Sequence, residues 1–238
     1  MKLSFANNRV LAVLAHPDDA ELLCAGTLAR AKADGAAIAI CIMCRGDKGT
    51  PASPATADVS TIRRAEAEAA ATLLAAQLHW QDHPDGELFD TYPARLKLVE
   101  TYRRFRPTLV IAHSANDYHP DHRAASALAE AASWFAASAG HVTSSLHPLD
   151  APPALWWADT VAMTGFEPHF YVDVSAQVAL KQQMLDCHRS QIARADHADF
   201  TSLSAMLQRQ SEARGAQCGV LAAEAFRTSL TFKRARAF

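Results

Sequence analysis

The sequence predicts an α/β protein, a mostly parallel sheet flanked by helices, and three features point there. Residues 9–15 (RVLAVLA), 36–44 (AAIAICIMC) and 108–113 (TLVIAH) are aliphatic runs without polar alternation, the pattern of strands covered on both faces. Longer stretches of helical spacing lie between them, and strands alternating with helices form parallel sheets with right-handed crossovers. The first and third runs each break into a loop rich in His and Asp, AHPDDAE and HSANDYHPDH. In such sheets chemistry gathers where the strands end.

The elements follow in order. After the first strand, Leu22, Leu23, Ala25, Leu28, Ala29 and Ala33 share one face of a helix over 20–34, closed by Gly35. The second strand, 36–44, leads into a loop rich in Gly, Pro and Ser. A helix over 61–76 begins at Ser60 or Thr61, either of which can cap it. Residues 79–80 form a short strand, 92–105 a helix, 108–113 a strand and 123–137 a helix. The Pro-rich stretch 141–157 (HVTSSLHPLDAPPALWW) reads as an irregular surface excursion. FYVDVS is a short strand, 179–194 a helix, and the basic FKRARAF a solvated end. With no repeat or linker, 1–238 is expected to be a single domain.

Composition narrows the function. Of 238 residues 50% are hydrophobic and 20% charged, and the net charge is −2. That balance carries no footprint for nucleic acid or an anionic membrane. No apolar run is long enough to span a bilayer, and the N-terminus lacks a signal-type apolar core. Five scattered cysteines do not make a secreted disulfide framework. The expectation is a cytoplasmic enzyme without nucleic-acid or membrane partners, and a homo-oligomer is left open. Cys41 and Cys44 form a C-x-x-C inside a strand, where a spacing of three points them to opposite faces. They are read as core residues.

Asp18 and Asp19 are adjacent anions beside His16 at a strand end, an arrangement that costs energy unless a cation sits among them. One His, one Asp and a distant His suit a catalytic zinc, which takes three protein ligands and leaves a position open. His16 and Asp19 are three apart, as are His119 and His122. A site of two His and one Asp also suits Fe(II).

AHPDDAE with a downstream HPDH resembles the PIG-L/LmbE-like family of zinc-dependent N-acetylglucosamine deacetylases. CRGDKGT, R-R-A-E at Arg63 to Glu66, HPDGEL, VDVS with the following Lys181, H-R-S-Q at His188 to Gln191, and AEAF also match. The matches extend from Val10 to Phe226. The resemblance implies a Rossmann-like (LmbE-like) core and hydrolysis of an N-acetyl amide on an amino sugar or its conjugate, a small-molecule partner. It places one Zn2+ on His16, Asp19 and His122, the general base on Asp18 and the catalytic His on His119. Asp121 would accept a hydrogen bond from His119 and hold it charged or correctly oriented. Sugar binding falls on Arg63, or on Arg64 if the register slips by one, and Tyr118 is a further donor near the substrate.

Plainer readings compete. Asp18 alone suits a helix N-cap, and HPDH alone a capped turn. His113 reads as a strand-end residue satisfied locally; His188 and Gln191 serve packing, substrate or subunit contact. GDKGT lacks the Walker spacing, and no G-x-G-x-x-G follows the first strand, which excludes the common nucleotide-binding forms. Two other functions remain: an amidase with the same machinery but a larger acyl group, and a non-catalytic metal- or sugar-binding module. The module has no use for Asp18.

Overall fold

The computed structural model describes residues 4–49, 58–144, 147–192 and 202–231. Its elements are β1 (Arg9–Leu14), α1 (Asp19–Leu23), α2 (Ala25–Ala33), β2 (Ala37–Cys44), α3 (Val59–Leu73), β3 (Gln77–His83), α4 (Tyr92–Phe105), β4 (Leu109–Ala112), α5 (Pro120–Phe135), β5 (Ala154–Ala158), β6 (Phe170–Asp173), a 3-10 turn (Ser175–Gln177), α6 (Val178–Leu185), α7 (Arg189–Ile192), α8 (Leu203–Cys218) and β7 (Ala223–Thr228). One seven-stranded sheet has the order β3-β2-β1-β4-β5-β7-β6. The first five strands are parallel, and β7 runs antiparallel to β5 and β6. The sheet is thus mostly parallel, as the unbroken aliphatic runs require.

The side-chain alternation of the strands builds a core on each face. Val10, Ala12, Leu14, Ile38, Ile40, Ile42 and Ile111 pack under α1, α2, α3, α6 and α8. Leu11, Val13, Ala39, Cys41, Met43 and Val110 pack under α4 and α5. From β1 the chain builds outward to β2 and β3, then returns to β4 and β5 on the other side. Strand order therefore reverses between β1 and β4, and a crevice opens there at the carboxyl ends.

Several sequence expectations need correction. The helix expected over 20–34 breaks at Cys24 (φ −151°) into α1 and α2. The break holds because Glu224 of β7 accepts from the N–H groups of Gly26 and Thr27 at 2.9 and 2.7 Å, starting α2 from a residue far along the chain. The stretch 141–157 is no mere excursion, since its end enters β5, paired with β4 and β7. The helix over 179–194 is two helices, α6 and α7; 193–194 and the FKRARAF end lie outside the described residues. α3 is capped by Asp58, which accepts from Ser60 N–H, and not by Ser60 or Thr61. The short strand at 79–80 extends over Gln77–His83. Both Cys41 and Cys44 join the core under α4 and α5, where strict alternation would separate them; pairing with β3 shifts between Ile42 and Cys44. Among the described residues no helix is long and apolar enough to cross a membrane.

Candidate metal centre

β1 and β4 are neighbours, so the loops that leave them meet. Two imidazole nitrogens and both oxygens of one carboxylate converge in the crevice. His16 Nδ1 lies 3.3 Å from His122 Nε2 and 3.5 Å from Asp19 Oδ2, and His122 Nε2 lies 3.5 Å from Asp19 Oδ1. Ligands about 2.1 Å from a tetrahedral zinc stand about 3.4 Å apart, which suits the two imidazoles and the carboxylate, although Asp19 turns a different oxygen to each imidazole. Each imidazole also has a carboxylate on its far side. His16 Nε2 faces Asp121 Oδ2 at 3.1 Å, and His122 Nδ1 lies 3.1 Å from Asp117 Oδ1. A carboxylate behind a ligating imidazole fixes its tautomer and leaves the other nitrogen for the metal. The donor set fits zinc, or Fe(II) with open positions.

Asp19 is buried, and burial alone would raise its pKa. The imidazoles of His122 and His113 prevail and hold its carboxyl well below the usual range. His113 was read as a strand-end residue satisfied locally; it belongs instead to this cluster. Its ring stacks on that of His122 at 3.9 Å, and its Nε2 accepts from Ala15 N–H at 2.9 Å. Burial, with His122 beside it, pushes His113 down to about 4. Sequence reasoning also missed Asp117. TLVIAHSAND holds both residues, but only strand pairing brings that loop under AHPDD.

Asp18 occupies the N-cap position of α1, yet its side chain makes no capping bond. Its backbone has φ +97°, in the left-handed region, and its side chain lines the crevice beside the cluster. Burial, reinforced by the charge of Asp19, pushes its carboxyl up to about 7. The plain capping role fails for Asp18. It holds for HPDH: His119 Nδ1 accepts from Asp121 N–H at 3.2 Å, with Pro120 opening α5.

That bond corrects the expected pairing of His119 with the Asp121 carboxylate. The carboxylate faces His16 and accepts from Gly86 N–H at 2.7 Å and Leu88 N–H at 3.4 Å. Two positions into a helix, the Asp121 side chain turns away from the capping ring. With Nδ1 used as an acceptor, the neutral His119 ring keeps its proton on Nε2. Burial and the nearby His16 and His122 lower its pKa. His119 brings a ring nitrogen within 4.8 Å of those of His16 and His122.

Arg63, not Arg64, lines the crevice and is buried, whereas Arg64 is exposed and pairs with Glu68 at 3.1 Å. Gly46 makes room for it: at φ +72°, a Cβ there would come within 2.5 Å of Arg63 Cδ. Tyr118 stands at the rim, largely exposed, its ring edge toward His119.

The weaker motifs meet in pairs. Glu66 of R-R-A-E accepts from the N–H and hydroxyl of Ser190 in H-R-S-Q, at 2.8 and 2.6 Å. Lys181 bonds Glu224 of AEAF at 2.8 Å, both buried. Asp85 of HPDGEL accepts from the N–H groups of Gly46 and Lys48 in CRGDKGT, at 2.8 and 3.2 Å. His188 is buried 3.4 Å from Glu21, which overcomes the lowering effect of burial and raises it to about 8. Gln191 lines the crevice.

A family model, PIG-L: GlcNAc-PI de-N-acetylase, matches residues 11–133, which hold every residue of the converging cluster. The chain belongs to the PIG-L family. It is similar to a diacetylchitobiose deacetylase of Thermococcus kodakarensis, 28% identical over 77% of this chain and 70% of the relative. The N,N'-diacetylchitobiose deacetylase of Pyrococcus horikoshii, solved with its inhibitor MPG, superposes with a TM-score of 0.80 at 25% identity, over 93% of this chain and 84% of that one. A 4-oxalmesaconate hydratase of Pseudomonas putida is 30% identical over 67% of this chain and 60% of its own length. PIG-L relatives of this chain thus include both sugar deacetylases and a hydratase.

Proposed function

We propose that the chain is a zinc-dependent N-deacetylase acting on an N-acetylglucosamine-type sugar or its conjugate. The observation that carries this reading is Asp18. A carboxyl held in left-handed backbone, released from capping and poised near neutrality beside the cluster of His16, Asp19 and His122 is placed for proton transfer. Zinc on His16, Asp19 and His122 would supply Lewis acidity, polarising a carbonyl and acidifying water to a pKa of about 7.

The chain's own groups do the rest. Asp18 takes the proton of the attacking water and passes it to the departing amine. His119, through Nε2–H, donates to the oxyanion that forms only after attack, and so favours the transition state over the substrate. Asp121 acts on the other side of the centre, holding His16 and thereby the metal. Arg63 presents a fork of donors suited to sugar hydroxyls, and Tyr118 offers a hydroxyl at the rim.

The test is a panel of N-acetylated sugars and conjugates, with acetate and free amine both measured. Asp18→Asn is expected to keep its metal and lose about 100- to 10,000-fold in turnover. Near-wild-type turnover in that variant would overturn the assignment. Hydration of 4-oxalmesaconate, with no N-acetyl compound cleaved, would place the chain with the hydratase instead.

A further inference from the structure

The crevice around the ligand cluster, about 240 Å3, has two unlike walls. Gly49, Arg63 and Asp85 line it from the loops and helix that follow β2 and β3. Val161, in the loop after β5, and Leu203 and Met206, in the first turn of α8, line it too, and α8 packs on β7. Leu22 of α1, which contacts α8, extends this second wall. β2 and β3 lie on one side of the β1–β4 pair, β5 and β7 on the other. The ligand cluster therefore sits between a polar wall and an apolar one.

An N-acyl amino sugar has the same asymmetry. Its hydroxyl-rich ring is on the nitrogen side of the amide and its hydrocarbon on the carbonyl side. With the amide at the ligand cluster and the ring toward Arg63 and Asp85, the acyl chain runs toward the apolar wall. Three hydrocarbon side chains and a thioether offer a sugar ring no strong hydrogen bond, and burying hydroxyls against them carries a cost. Val161 and Met206 are the partly exposed members of that wall, Leu22 and Leu203 already lying in the core, and a longer chain covers more of the first two than an acetyl methyl does.

We infer that Leu22, Val161, Leu203 and Met206 form an acyl pocket, and that the chain prefers amino sugars carrying an unbranched N-acyl group longer than acetyl. This rests on the N-deacetylase reading above and extends it: acetyl is cleaved, and longer acyl groups are cleaved faster. Water adds to the carbonyl, the C–N bond breaks, the fatty carboxylate leaves, and the amine takes the proton.

The experiment compares kcat/KM for N-acetyl-, N-butyryl- and N-hexanoyl-glucosamine, with the octyl glycoside of N-acetylglucosamine as a further arm. A buried methylene is worth up to about fourfold, so a rise of about two- to fourfold per added methylene is expected. Met206→Gln, and separately Val161→Thr, should shrink the hexanoyl-to-acetyl ratio several-fold. Two variants at different elements guard against one that fails to fold. A fall in kcat/KM from acetyl to hexanoyl would overturn the acyl pocket while leaving the deacetylase reading intact. A gain from the octyl aglycone with none from the acyl chain would also overturn it, making the wall an aglycone site. Cleavage of no glucosamine amide at all would overturn both readings.

Discussion

Asp121 and His119 stand two residues apart in HPDH, and their side chains serve different partners. The His119 ring caps α5 through Nδ1, and the Asp121 carboxylate reaches His16 at 3.1 Å. The two substitutions should therefore separate cleanly. Asp121→Asn is expected to weaken zinc binding about 10- to 100-fold, the usual effect of losing the group behind a ligating imidazole. Its turnover should largely recover at saturating metal. His119→Ala should keep its metal and lose about 100- to 1,000-fold in kcat, the range for a lost oxyanion donor. Metal titration followed by kinetics on the saturated proteins checks both. Equal zinc affinity in Asp121→Asn and wild type would exclude the His16 role. At this scale the motif residues were legible, because His16, Asp18 and Asp19 follow directly on β1 and His122 lies in the HPDH that opens α5 after β4. The direction each side chain takes was not, because it depends on helix phase and on a β3–α4 loop whose Gly86 and Leu88 N–H groups hold Asp121.

Among the elements, the α1–α2 break shows how far a local pattern reaches. Residues 20–34 have the composition of one helix, and propensity alone would continue it through Cys24. Glu224 and Lys181, a buried pair 2.8 Å apart, override this by giving the first N–H groups of α2 a carboxylate acceptor. Gly26 is needed for that approach, since a Cβ there would meet Val174 at 2.7 Å and Glu224 Oε1 at 3.1 Å. Glu224→Ala would strand a buried ammonium and two N–H groups, a loss of about 3–5 kcal/mol. For a chain of this size that corresponds to a melting temperature lower by roughly 6–20 °C. Adding Lys181→Met to Glu224→Ala should recover part of the loss, because the unpaired charge goes with it. Calorimetry of the single and double variants decides; a single variant that melts like wild type would show the pair to be dispensable.

On the scale of the whole molecule, two hydrophobic cores stabilise the sheet independently of any ion, while the ligands bridge loops from β1 and β4. Metal removal should therefore lower stability without unfolding the chain. An ion at 100 times its dissociation constant adds about 2.7 kcal/mol, so chelation should lower the melting temperature by about 5–10 °C. Far-ultraviolet circular dichroism should stay unchanged at room temperature. Collapse of the fold on chelation would show that the ion is structural.

The sequence by itself determined the strand–helix alternation, the parallel centre of the sheet and the two His/Asp motifs that the crevice brings together. These depend on local composition and on motifs short enough to read along the chain. Tertiary structure decided the capping of α2 by Glu224, the entry of 154–158 into the sheet, the membership of His113 and Asp117 in the His/Asp cluster, and the opposed walls of the crevice. Each of these joins residues tens to nearly two hundred positions apart. The free energy that selects them comes from burial and from pairing of groups that meet only once the strands are in order.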